Sequence, residues 1–203
     1  MSTPVLHLLA GPNGSGKTTF YEQVVAPATH LPFVNADHLA AERWPGEELA
    51  LGHEASRLAA EVRQRFIAEG RSFVTETVFS HPSKVDLLRD ARRAGYQVAL
   101  HVILVPVELA VVRVALRVEA GGHGVPETKI RSRFERLWDL VAQAVGVADT
   151  ARFYDNGNAE HPYRLVARYE HGRPAGATEW PPWTPPALGA PPGTDTRLLQ
   201  TLI

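Results

Sequence analysis

Short apolar runs and helically spaced apolar positions alternate along the chain. "VLHLLA" at 5–10 reads as a buried strand, and "KTTFYEQVVA" opens the helix that follows it. "LPFVNAD" at 31–37 reads as a second strand ending in a polar turn. Over 51–70 the spacing of Leu58, Val62 and Phe66 marks one face of a helix that stops at Gly70, a C-terminal cap. "SFVTET" at 72–77 is a third strand, and 81–95 is a helix with proline near its start and Gly95 at its end. "YQVALHVILV" at 96–105 is apolar enough for a central strand covered on both faces. Two amphipathic helices follow at 107–121 and 126–145, separated by "GGHG". "ARFYDN" at 151–156 is a fifth strand, and "YRLVARYEHGRP" at 163–174 a last edge strand with its turn. This alternation predicts an α/β fold of three layers with a mainly parallel central sheet.

Composition narrows the picture. A chain of 203 residues suits one domain. From Pro174 onward Pro-Pro pairs and tryptophans ("EWPPWTPP") forbid regular helix or central strand. The expected division is therefore a domain at 1–173 and a Pro/Trp-rich C-terminal extension at 174–203, either a flap lying on the domain or a disordered tail. A formal charge of −1 gives no general attraction to nucleic acid or to an anionic membrane, so neither is an expected partner. Any bound anion must be held by local positive groups. The absence of cysteine excludes disulfides and thiolate metal sites, and no span approaches a membrane helix. Both point to the cytoplasm.

The strongest chemical signal is "GPNGSGKTT" between the first strand and its helix. Gly11, Gly16, Lys17 and Thr18 complete G-x-x-x-x-G-K-[ST], the loop of P-loop nucleoside triphosphatases, with Asn13, Gly14, Ser15 and Thr19 completing the cradle. Glycines let backbone N–H groups surround phosphate oxygens, and the helix N-terminus adds its positive end. Lys17 then bridges the outer phosphates of ATP and the Thr18 hydroxyl ligates Mg²⁺.

Polar clusters fall at the strand ends, where α/β sheets gather their chemistry. Strand two ends in Asn35-Ala36-Asp37, strand three in Glu76-Thr77 followed by Ser80 and His81, and strand five in Asp155-Asn156. The fourth strand offers no carboxylate at its tip, which weakens a motor or switch reading. In a kinase one carboxylate accepts the proton of the acceptor hydroxyl, and Asp37 is the choice here. Its alternative is capping a helix that starts at His38. Glu76 either binds acceptor hydroxyls or supports the metal. Asn35, Thr77, Ser80 and His81 line an acceptor pocket, although Ser80 equally suits a helix cap and His81 equally suits capping and packing; Lys84 reads as a solvated helix charge.

Arg113, Arg117, Arg131, Arg133 and Arg136 lie on the two helices of 107–137, with Gly121, Gly122 and Gly124 between them. Such a pair reads as a bending, arginine-bearing lid that excludes water and stabilises charge on a transferring phosphoryl group. The plain alternative is a helical hairpin with a solvated basic face. His123 stands at the tip with no metal-ligand spacing.

Together the phosphate loop, "NAD" after strand two, "ETVFSHPSK" after strand three, "RVALRVEAGGHGVPETKIRSRFERL" and "YDN" resemble the zeta toxin family of P-loop kinases, in particular its short bacterial members, over residues 4 to about 170. The resemblance implies ATP-dependent, Mg²⁺-dependent phosphorylation of the sugar of UDP-N-acetylglucosamine, and admits an antitoxin partner. It implies Lys17 and Thr18 on ATP and metal, Asp37 as base, Glu76 and Thr77 on the acceptor, lid arginines including Arg113 on phosphates, and Asp155 and Asn156 near the adenine. The family's lid carries an arginine just before Thr-Pro, where this chain reads His123-Gly124-Val125-Pro126. The phosphate-sensing role then falls to Arg117, Arg133, Arg136 or His123. The competing expectations are a kinase of another metabolite, such as a nucleoside or an antibiotic, and a nucleotide-dependent interaction protein whose lid and tail engage a protein partner.

Overall fold

The structure is a computed structural model that describes residues 3–47, 50–122 and 124–189. His123 lies outside the described residues. Strand β1 (Val5–Ala10) leads through the phosphate loop into α1 (Lys17–Phe20), a wide π turn (Tyr21–Val25) and α2 (Ala26–Thr29). The π turn has a local cause: Pro27 has no N–H to donate, and the widened turn reroutes the ladder around it.

Strand β2 is only Phe33–Val34, and the chain enters helix α3 (Ala36–Arg43) at once. It is followed by α4 (Gly52–Ala68), β3 (Phe73–Thr77), α5 (Ser83–Arg93) and β4 (Gln97–Leu104). Helices α6 (Val107–Glu119) and α7 (Glu127–Val147) form the expected hairpin, ahead of β5 (Thr150–Asp155), β6 (Arg164–Glu170), β7 (Arg173–Pro174) and a short α8 (Pro186–Gly189).

The sheet order is β2-β3-β1-β4-β5-β6-β7. The first five strands are mutually parallel, and β6 and β7 add antiparallel. Because the chain steps from β1 to one side and then crosses to β4 on the other, a crevice opens at the C-terminal end of β1. Register fixes what faces it: Leu9 lies beside Glu76, Ala10 beside Thr77 and Val34 beside Thr75.

Alternation along the strands sorts the core. Leu6, Leu8, Phe73, Leu100 and Phe153 pack on one face against α4, α5 and α7. Leu9, Phe20, Val25, Val74 and Ile103 fill the layer under α1. Each fully buried large side chain contributes about 1.5–3 kcal/mol. On α4 the buried positions are Ala55, Ala59, Arg63 and Phe66, so the face is rotated from the expected one and Leu58 and Val62 lie at its flank. Small alanines let the helix lie close to the sheet, which is why they rather than Leu58 occupy the contact.

The segment after Pro174 continues on the same body. The Ala175 N–H donates to Arg168 O at 2.8 Å and the Glu179 N–H to Val166 O at 2.7 Å. Trp180 packs edge-on against Phe153, with ring centroids 5.1 Å apart. Leu188 of α8 is buried in the main core. The expected boundary at 173/174 thus falls inside β7, and through residue 189 the Pro/Trp-rich segment lies on the domain as a flap.

Candidate active site

The phosphate loop is wedged between β4 and α6. A Cβ on Gly14 would meet the Ala110 carbonyl oxygen at 2.5 Å, and one on Gly11 the Ile103 carbonyl oxygen at 2.5 Å. Gly16, at φ +88°, has Asn156 and Tyr163 against it instead. These two side chains brace the loop from below. Asn156 Nδ2 donates to Ser15 O at 2.9 Å, and the Tyr163 hydroxyl donates to Gly16 O at 3.0 Å. Thr19, exposed on α1, also comes within hydrogen-bonding reach of the Tyr163 hydroxyl. The Ser15 hydroxyl is fully buried and has no hydrogen-bond partner among the described residues. A glycine cradle with an unmet donor in its wall and a helix start behind it fits a phosphate chain.

Lys17 Nζ folds over the loop, donating to Gly11 O at 3.1 Å and Pro12 O at 2.9 Å. Burial lowers its pKa, and the carboxylates of Glu76 and Asp37 oppose that effect while Arg117 and Arg133 add to it. Charges from four different elements thus act on the ammonium. Glu76 reaches the start of α1, where Thr18 Oγ1 donates to Glu76 Oε2 at 3.0 Å. The carboxylate missing from the tip of β4 is supplied by β3, the other neighbour of β1. Hard oxygens from a threonine and a glutamate, completed by phosphates and water, suit Mg²⁺. The described residues contain no cluster of three or more His, Asp or Glu that would form an all-protein metal cage.

Asn35, expected to touch the acceptor, is buried, and its Oδ1 accepts from the backbone N–H of Asp37 at 2.7 Å and of His38 at 3.2 Å. It is the cap of α3. Asp37 lies two residues further on, in the first turn of α3, with an exposed side chain free of the capping role. Beyond it a cleft lined by Leu39, Glu42, Arg43, Trp44 and Leu58 opens along α3. Thr77 Oγ1 accepts from the N–H of Phe79, a fully buried residue held at φ +65°, so the turn leaving β3 is rigid. Ser80 is half-buried beside it, whereas His81 turns toward the start of α5, accepting from Ser83 N at 3.2 Å.

The arginines separate into two groups. Arg113 senses Tyr163, Arg117 senses Lys17, and Arg133 donates to Asn13 Oδ1 at 3.3 Å. Of these, Arg133 contacts the loop itself, while Arg113 and Arg117 act on groups of the site through their charge. Arg131 is instead tied to Glu108 at 2.6 and 2.7 Å and to Glu127 at 2.8 Å, bracing α6 against α7. Arg136 is exposed without a partner among the described residues. Asp155 caps its own loop, accepting from Gly157 N at 2.8 Å. Sequence reasoning missed Tyr163, whose φ of +56° and hydrogen bond to the loop leave no local trace.

A five-strand parallel core in the order 2-3-1-4-5, with this loop after its central strand, defines a P-loop nucleotide-binding protein of kinase-like architecture. The chain belongs to the zeta toxin family: the family's model, described as Zeta toxin, matches residues 45–164, more than half of the chain. The match takes in Glu76, the lid and Asn156, and begins after the phosphate loop and Asp37, which stand on motif and geometry. An uncharacterised protein of Haemophilus influenzae is 28% identical over 128 residues, covering 61% of this chain and 88% of its own. A structure from the PezAT chromosomal toxin–antitoxin system of Streptococcus pneumoniae is similar with a TM-score of 0.60 at 14% identity, covering 83% of this chain and 72% of that one. The AvrRxo1-ORF1:AvrRxo1-ORF2 complex with ATP is similar with a TM-score of 0.67 at 20% identity, over 85% of this chain and 60% of that one. At such identities the likeness speaks for the fold.

Proposed function

We propose that the protein is an ATP-dependent small-molecule kinase in which Asp37 is the general base. The observation that carries this reading is the meeting at the phosphate loop of the folded-over Lys17, the Thr18–Glu76 hydrogen bond and the Arg133–Asn13 hydrogen bond, with Asp37 near enough to act on the Lys17 charge. The phosphate loop holds the triphosphate, and Thr18 and Glu76 would hold Mg²⁺, which would supply positive charge against the phosphate oxygens. The acceptor hydroxyl approaches Asp37, which takes its proton as the oxygen attacks the γ-phosphorus. The bond from that phosphorus to the bridging oxygen breaks, and ADP leaves. Arg117 and Arg133 stabilise the charge on the transferring oxygens. UDP-N-acetylglucosamine is the leading acceptor on the strength of family membership.

The test incubates the purified protein with labelled ATP, Mg²⁺ and either UDP-N-acetylglucosamine or a metabolite extract, with mass spectrometry of any compound gaining a phosphate. Asp37→Asn is expected to lower acceptor phosphorylation by about 10²–10⁴-fold while ATP still binds. Undiminished transfer would remove Asp37 from the base role.

We also infer an antitoxin-like protein partner. Support comes from the two-component complexes among the structural relatives and from Val112, Leu116 and Val118, large apolar residues exposed on α6 beside Arg113 and Arg117. A partner seated there would hold the lid, and Leu116→Asp is expected to escape its inhibition in a transfer assay. Inhibition unchanged by that substitution would place the partner elsewhere.

A further inference from the structure

Strand β2 has only two residues, lies at one edge of the sheet and delivers the chain straight into the helix that carries Asp37. On its inner side it is held to β3, where the Val74 N–H donates to Pro32 O at 2.9 Å and the Thr75 hydroxyl to Val34 O at 2.7 Å. Among the described residues no strand pairs with its outer side. So short an edge strand fixes the start of α3 weakly by itself, because few ladder bonds oppose the entropy of ordering it.

A row of rings adds to that hold. Tyr21 and Phe33 are stacked, with centroids 3.7 Å apart and planes at 10°. Phe33 in turn meets His38 edge to face, at 5.4 Å and 82°. Each end of the row is tied to the site. Tyr21 opens the π turn, and its N–H donates to Lys17 O and Thr18 O, the residues that the loop motif sets on phosphate and metal. His38 follows Asp37, and the N–H groups of Asp37 and His38 both donate to Asn35 Oδ1, at 2.7 and 3.2 Å. Tyr21 and Phe33 are half-buried and His38 is exposed, so the gain from burial is only partial here. What rings add is direction, because their quadrupoles favour particular offsets and angles and resist sliding.

We propose that Tyr21 and Phe33 are positioning residues: with His38 they hold the start of α3, and so Asp37, in place relative to α1 and the phosphate loop. The role of Asp37 rests on the kinase reading, whereas the tie between α1 and α3 can be tested by itself. The first arm needs no turnover and follows amide exchange at Asp37 and His38 with and without Mg²⁺ and a non-hydrolysable ATP analogue. Nucleotide on the loop steadies α1, and the rings pass that constraint to α3, so exchange at both amides should slow about tenfold in the wild type. Tyr21→Leu removes the stack and should leave both amides indifferent to the analogue, while Tyr21→Phe keeps the ring and the response. Melting curves and analogue titration show that each variant is folded and loaded.

The second arm measures turnover with the acceptor found in the labelled-ATP assay. Tyr21→Leu and Phe33→Leu should each lower kcat about 10–10²-fold, the effect of a base displaced by up to about 1 Å, with the KM for ATP held within about twofold. Tyr21→Phe should recover most of the loss. Phe33 also packs on the layer of Leu9 and Val74, so Tyr21→Leu keeps the test open if Phe33→Leu fails to fold. An exchange response that survives Tyr21→Leu or is absent from the wild type, or a kcat untouched by Tyr21→Leu, would overturn the proposal. Loss of the exchange response in Tyr21→Leu, with no transfer to any acceptor by the wild type, would count against the kinase reading and leave the tie between α1 and α3 standing.

Discussion

Gly14 admits no side chain, because the loop presses its α-carbon against α6 and a Cβ would lie 2.5 Å from the Ala110 carbonyl oxygen. Its φ of +74° adds a second penalty for any L side chain. Gly14→Ala is therefore expected to lower stability by roughly 1–3 kcal/mol and to weaken ATP binding, read by chemical denaturation and by nucleotide titration. Tyr163→Phe is a gentler probe. It keeps the ring packed on Phe20, whose centroid is 5.1 Å away, and removes only the hydroxyl that donates to Gly16 O. A loss of about 0.5–1.5 kcal/mol in stability, with a matching fall in ATP affinity, would identify the tyrosine as a brace of the cradle. Unchanged affinity would confine it to packing. Lys17 and Thr18 were legible in the sequence because their chemistry is set by immediate neighbours. Asn35 was legible as polar but not as a cap, since Asp37 next to it satisfies the same residue preference. Only the observed hydrogen bonds to the N–H groups of Asp37 and His38 separate the two roles.

Strands β1 and β4 carry a polar pair within the layer beneath α1. His7 Nδ1 and His101 Nε2 are 3.2 Å apart, and Phe20 and Tyr154 close the space around His101. Burial, then the neighbouring His7, then Arg152 lower the His101 pKa to about 3. Its Nδ1 has no partner among the described residues, so a second proton would find nothing to bond. In the unfolded chain the ring protonates near the ordinary histidine value of about 6.5. Below that pH the unfolded state holds the extra proton and the native state does not. Stability is therefore full above about pH 6.5 and declines as pH falls toward 3, by up to about 1.4 kcal/mol per pH unit for this one group. Unfolding free energies of wild type and His101→Phe between pH 4 and pH 7 test this: the variant should show the shallower slope, and parallel slopes would exclude His101 as the source. The apolar pattern marked β4 as buried on both faces but not this pairing, because cross-strand neighbours depend on register. The same holds for Glu76, whose approach to Thr18 follows from β3 pairing with β1, a topology that local pattern leaves open.

The molecule as a whole joins its site from segments remote in sequence, and the C-terminal flap belongs to that assembly. Trp180 rests on Phe153 in β5, while Trp183 lies close enough to Gly157 that a Cβ there would be 3.4 Å from its ring. Gly157 follows Asn156, the residue that holds Ser15 O. A line of packed contacts therefore runs from the tryptophans through the β5 loop to the phosphate cradle. Composition made the flap recognisable as irregular, but proline and tryptophan are compatible with either a docked strap or a free tail. What decides between them is the edge of β6, whose Val166 and Arg168 carbonyls accept from Glu179 and Ala175. Trp180→Ala removes a half-buried ring and should cost about 2–3 kcal/mol, below the range for a fully buried tryptophan. If the flap merely covers apolar surface, the loss will appear in the melting temperature alone. If it also seats the β5 loop, ATP affinity will fall together with stability, and Trp183→Ala will weaken ATP more than its own stability loss would suggest. Deleting residues 175–203 should reproduce both effects, and a truncated chain with the melting temperature and ATP affinity of the full one would show that the domain ends at β7.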